Sequence, residues 1–142
     1  MKLIDYQEQW KQLVDKALTY GLGTLTCDEK VWFTVQSLIQ DIQNGGLISF
    51  YYNSGADWLN DTFLALRALD AQKVIELMSR VNELFPSGVP KDITARNEIM
   101  NSWPDDGTID KILEPIENEV QQEAELLESK LVSFIQDHHL AG

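Results

Sequence analysis

The sequence predicts an all-α protein: a single compact domain over residues 1–142, built of about six to eight helices and ending in a long, acidic, amphipathic C-terminal helix. Three observations predict it. Apolar residues recur at steps of three and four along most of the chain, the period of one helix face. The interruptions fall at clusters of Gly, Pro, Asn and Asp, which break helices. No convincing pair of alternating strand-like runs, internal repeat or low-complexity stretch competes with that pattern. At 142 residues one domain is the default, and folding buries roughly two-thirds of the surface that the open chain exposes.

Ile4, Trp10, Leu13, Val14 and Leu18 predict a first helix, stopped by Gly21-Leu22-Gly23. Thr26-Cys27-Asp28-Glu29 reads as a capping box, in which the Thr26 hydroxyl and the Glu29 carboxylate satisfy each other's exposed backbone N–H groups. The central helix follows on Val31, Trp32, Val35, Leu38, Ile39 and Ile42. It ends at Asn44-Gly45-Gly46, where Gly45 or Gly46 supplies the positive φ that helix C-termini favour. Leu47 to Tyr52 is too short for periodicity to decide, and its β-branched and aromatic residues suit a strand as well as a helix. Asn53-Ser54-Gly55 is a turn, with Asn53 placed to cap the helix that carries Trp58, Leu59, Thr62, Phe63, Leu66 and Leu69. Asp70 can cap the next, on Val74, Leu77, Met78, Val81 and Leu84. After the Phe85–Pro90 loop, a short helix over Asp92–Met100 sets Asp92 and Arg96 four apart, where they can pair. Trp103–Gly107 is a second loop. The last helix runs from about Ile116 to His138 on Ile116, Val120, Leu127, Leu131 and Phe134.

Eleven Lys or Arg stand against 23 Asp or Glu, a formal charge of −12. That excess argues against direct binding of nucleic acid or of an anionic membrane, both of which need cations to neutralise phosphates. Basic protein partners stay open. The hydrophobic content of 44%, with four Trp, is too rich for a disordered acidic tail. A single cysteine, Cys27, excludes an internal disulfide and a Cys-cluster zinc site. The opening MKLIDYQEQW lacks the layout of a signal peptide, and no window approaches the ~18 apolar residues of a membrane span. The expectation is a soluble, cytoplasmic protein.

Enzyme signatures fail in turn. Gly21-Leu22-Gly23 lacks the third Gly of a dinucleotide fingerprint and the Gly-Lys of a phosphate loop. Aligning Gly107 with the sixth position of a calcium-binding loop puts Leu113 where the bidentate Glu belongs. His138 and His139 are adjacent and point about 100° apart on a helix, which suits a terminus better than a metal site. Asp57 and Asp61, four apart, have the spacing of a metal-dependent hydrolase. No second acidic pair faces them, and acids in a first helical turn are the ordinary reading. No metal and no cofactor is expected. Packing under the central helix is likewise the ordinary reading of Leu47–Tyr52; a pocket lined by Tyr51, Tyr52 and Asn53 is the sharper one.

The acids are unevenly placed. From Asp105 onward ten acids face two bases, −8 in 38 residues, against −4 in the first 104. Glu114, Glu117, Glu119, Glu123, Glu125 and Glu128 span about 21 Å of helix, or one carboxylate per roughly 3.5 Å. One DNA strand carries a charge every ~3.4 Å of axis. The six are spread around the polar side, as on any solvated helix face, so spacing alone does not select mimicry.

The capping box and central helix, Asn44-Gly45-Gly46, Phe50-Tyr51-Tyr52, Asn53-Ser54-Gly55 and Ala65-Leu66-Arg67-Ala68-Leu69 come in an order that resembles a family of small acidic bacterial proteins that includes a DNA mimic. The likeness covers about residues 22–90. It implies an all-helical, often dimeric protein, whose surface carboxylates imitate DNA phosphates and occupy the DNA-binding face of a transcription regulator. Its shared residues are turn-forming scaffold, whereas mimicry depends on surface acids without a motif. The leading expectation is therefore a non-enzymatic interaction protein with a basic partner. The six Glu are its candidate contacts, with Asp57 and Asp61 as a second group. The alternatives are an inhibitor of a basic toxin nuclease, and a small hydrolase or ligand-binding protein centred on Asn44–Asp61.

Overall fold

The alternation of apolar steps and breakers resolves into seven α-helices, with no strand among the described residues, 1–141 of a computed structural model. The helices are α1 (Gln7–Tyr20), α2 (Cys27–Gly45), α3 (Leu47–Tyr52), α4 (Leu59–Ala68), α5 (Gln72–Asn82), α6 (Ile93–Asn101) and α7 (Thr108–Asp137). Short 3-10 turns cover Leu3–Tyr6, Leu22–Thr24 and Ser54–Trp58.

α2 is the axis of the fold. Its capping box forms as read: the Glu29 N–H donates to Thr26 Oγ1 at 3.1 Å, and the Thr26 N–H to Glu29 Oε1 at 2.8 Å. Burial pushes the Glu29 carboxyl up, but the Thr26 amide and the Lys16 ammonium together hold it below its usual value. Beyond the cap, Val31, Trp32, Val35, Leu38, Ile39 and Ile42 are buried, and α2 packs against α1, α3, α4 and α7 at once. A helix with neighbours on so many sides needs more than one apolar stripe, which is why Phe33 and Thr34 are also buried. Its end is set at Gly46, with φ of 86°, rather than at Gly45.

Leu47–Tyr52 is a helix, not a strand. Leu47, Phe50 and Tyr51 are buried, and Tyr51 donates its hydroxyl to Asn82 Oδ1 at 2.6 Å. Burial keeps that phenol protonated far above its ordinary range. Tyr52 is exposed, so Tyr51 and Tyr52 do not face a common pocket.

Several local readings are corrected. Ile4 and Leu18 are exposed: the Leu3–Tyr6 turn buries only Leu3, and α1 only Trp10, Leu13 and Ala17. Asp70 does not cap α5; it takes a left-handed turn at φ 55°, and its carbonyl accepts from Lys130 Nζ at 2.7 Å. Asn53 does not cap the following helix either, for its amide donates to Asp41 Oδ1 at 2.9 Å. α5 ends before Leu84. α7 begins at Thr108, not near Ile116, and runs through Pro115. A mid-helix proline costs about 3 kcal/mol; Leu113, Ile116 and Val120, packed on the core to either side of it, hold the helix together there. Asp92 and Arg96 do not pair: Asp92 caps α6 by accepting from the Ala95 N–H at 3.0 Å, and Arg96 turns inward. No helix among the described residues is long and apolar enough to cross a membrane.

Candidate functional site

The six glutamates of α7 do not form one row. At about 100° per residue, Glu114, Glu125 and Glu128 fall on one shoulder with Asp110, while Glu119 and Glu123 fall on the other. Contacts fix the two sides. Gln121 reaches the Ile42 carbonyl of α2 at 3.2 Å, whereas Glu119 reaches Lys73 and Arg80 of α5 at 3.8 and 3.6 Å. Between the shoulders runs an exposed crest on which Lys111, near the start of α7, is followed by the uncharged Asn118, Gln122, Ser129 and Gln136.

The six also differ in what their charge can do. Glu117 points inward: it lies against Gly46, and its Oε1 accepts from the Leu47 N–H at 2.7 Å. Burial raises its carboxyl above the usual range, only partly offset by the Leu47 and Ile48 amides. Glu119 is matched by two cations. Glu128 sits with its Oε2 3.5 Å from the Leu3 N–H, half-buried. Glu123 is half-buried on the α5 side. Glu114 and Glu125 alone among the six are exposed, and they join Asp105, Asp106 and Asp110, which are exposed as well. None of these five enters an ion pair with a described residue. Asp106 is ordered by Thr108, whose hydroxyl and N–H donate to Oδ1 and hold the carboxyl below its ordinary value.

Asp57 and Asp61 stand on different elements. Asp57 lies in the 3-10 turn Ser54–Trp58 and Asp61 in the first turn of α4, so they do not share one helix face. Asp57 Oδ1 stands 2.8 Å from Nη2 of Arg96, whose side chain is fully buried. The guanidinium also donates to the carbonyls of Tyr51, Asn53, Pro90 and Lys91 at 2.8–3.0 Å. Asp57 is thus committed to a structural ion pair and is a poor contact for a partner's cation. Asp61 remains half-exposed beside Lys91, in a shallow cleft of about 310 Å³ that Asp57 also lines.

The arrangement gives α3 a charge at each end. Glu117 stands at its N-terminus, and Arg96 binds carbonyls at its C-terminus, the signs that the helix dipole favours. The Asn44-Gly45-Gly46 and Asn53-Ser54-Gly55 turns are where these two clasps land. Gly46 leaves room for the Glu117 carboxylate, and Gly55 lies so close to Phe50 that a Cβ there would stand 3.0 Å from the ring. Beside them Asp41 is half-buried, its carboxyl pushed up by burial and eased only by the Asn53 amide. Arg96 was the residue the sequence hid. The available signal was an arginine between Ile93 and Met100 on the inward face of a short helix.

No curated protein and no solved structure matches the chain. A model of the DMP19-like protein family matches residues 23–138, from just before the α2 capping box to the end of α7, and so includes both clasps. On that match the chain belongs to the DMP19-like protein family.

Proposed function

We propose that the protein is a non-enzymatic interaction protein whose acidic surface occupies the basic, DNA-binding face of a regulatory protein. The observation that carries this reading is the group of five exposed carboxylates without a cation: Asp105, Asp106, Asp110, Glu114 and Glu125. They share the approach to α7 and its first shoulder, where repulsion among them is relieved by a basic partner. Family membership supports the reading. The contact set is narrower than six glutamates, because Glu117 and Glu119 already serve the fold. Cytoplasmic residence belongs to the same proposal.

The test is competition. A partner captured at low salt should be released by raised salt, since exposed charges more than a Debye length apart, about 8 Å at physiological ionic strength, are screened. Duplex DNA should displace it. A variant carrying Asp105→Asn, Asp110→Asn, Glu114→Gln and Glu125→Gln should bind at least tenfold more weakly at unchanged stability. Capture that resists salt, ignores DNA and survives the fourfold variant would overturn the proposal.

A further inference from the structure

A groove of about 400 Å³ lies between the Leu3–Tyr6 turn, the start of α1, the exposed side of α2 and α7. Its apolar wall is Leu3, Ile4, Trp10 and Ile39, and it carries one cation, Lys2, and one carboxylate, Glu128. Residues 2–10, which form half of it, precede the segment matched by the family. The other half, Gln36, Ile39, Gln40, Gln43 and Glu128, lies within that segment, and the inference drawn from the groove does not depend on the five free carboxylates.

Gln36 gives the groove its direction. It is 93% buried, being 7% exposed, and its Oε1 accepts the Trp32 indole N–H at 2.7 Å. An indole nitrogen can only donate, so the amide atom facing it must be the oxygen. The Gln36 Nε2 donors are thereby turned the other way, into the groove, and donate to no described residue. That amide is not sealed from solvent, so its N–H groups are open to water or to an acceptor that enters the groove.

We infer that this groove binds a small zwitterion, a free α-amino acid or a short peptide. The ligand carboxylate accepts from Gln36 Nε2 and Lys2 Nζ, its ammonium meets Glu128, and its side chain lies on Trp10 and Ile39. The wall charges cancel, which favours a ligand whose own charges cancel, and the volume is at the small end for ligand pockets, about 300–1,000 Å³.

The experiment titrates the full chain with L-leucine, L-glutamine, glycylglycine and leucylglycine, following the Trp32 indole and Gln36 amide NMR signals with calorimetry in parallel. At least one probe should shift both signals saturably, with a dissociation constant of about 1 mM or tighter. N-acetyl-leucine and leucine methyl ester, each missing one charge, should bind at least fivefold more weakly. Binding by the amino acids alone or by the dipeptides alone identifies which source of the zwitterion the groove takes. Gln36→Glu keeps an acceptor for Trp32 but replaces the donor, and should weaken binding at least tenfold. Lys2→Met, on an exposed residue outside the core, should weaken it severalfold and guards against a folding defect in the first variant. No shift with any probe at about 10 mM, well above the ~1 mM limit, would overturn the inference. So would shifts that Gln36→Glu and Lys2→Met both leave unchanged.

Discussion

Replacing Arg96 by Met removes the guanidinium while keeping an unbranched apolar chain in the same space. The variant loses the ion pair to Asp57 and leaves the carbonyls of Tyr51, Asn53, Pro90 and Lys91 without that donor. Asp57 is about one-third exposed and can rehydrate in part, so its share of the cost is the smaller one. The carbonyls belong to the end of α3 and to the loop before α6, which the guanidinium ties together. Breaking a buried, hydrogen-bonded pair by removing one partner costs about 3–5 kcal/mol, a large fraction of the ~5–15 kcal/mol that holds a domain together. Unfolding entropy for a chain of 142 residues is about 0.3 kcal/mol/K, so the Tm should fall by roughly 10–17 °C. Urea titration followed by far-UV and near-UV circular dichroism measures the loss. Arg96→Lys should recover part of it, since one ammonium cannot reproduce the planar fork. Asp57→Asn should cost only about 1 kcal/mol, because the four carbonyl contacts remain. If Arg96→Met lies within about 1 kcal/mol of the parent, or is no worse than Asp57→Asn, the clasp does not hold α3.

Other perturbations test neighbouring parts of the structure. Gly46→Ala forces a Cβ into left-handed backbone and against the Glu117 carboxylate, and should destabilise by at least about 1–2 kcal/mol in the same titration. Asp41 and Glu117 both titrate above their ordinary values because burial disfavours the charge. Their stabilising contribution is therefore complete below the unfolded pKa and is lost as pH rises through the folded one, so Asp41→Asn should raise the Tm at pH 7 more than at pH 4. A gain equal at both values would contradict that sign. Glu119→Gln breaks only partly exposed ion pairs with Lys73 and Arg80, and should cost under about 1 kcal/mol. It should leave partner affinity intact, whereas Glu125→Gln should lower it; equal losses would mean that the two shoulders of α7 act as one surface. Thr26→Ala removes a cap worth about 1 kcal/mol, readable as a Tm drop of about 3 °C.

The elements that were legible in the sequence are those whose causes lie within four residues. Thr26 and Glu29 satisfy each other across one turn, and the α2 stripe from Val31 to Ile42 repeats at the helical period. The loop acids near Asp105 are exposed because nothing nearby in the chain can cover them. Where tertiary partners intervened, local reasoning failed in a consistent way. Asp70, Asn53 and Asp92 are all residues that favour caps, yet only Asp92 caps, because Asp41 takes the Asn53 amide and the α4–α5 corner needs a left-handed residue at Asp70.

From the sequence alone come the all-α class, most of the helices, the α2 cap and the concentration of charge after Trp103. All of these follow from periodicity, from propensity or from counting. Tertiary structure alone decided that LISFYY is a helix, that Arg96 is buried, and which α7 carboxylates stay free. The reason is distance along the chain. α3 is held by Glu117 from 70 residues away and by Arg96 from 43 and 45, and the same contacts withdraw Glu117 and Asp57 from the surface. A carboxylate looks the same in a sequence whether it faces water, a lysine or a helix end, and only the fold brings that neighbour to it.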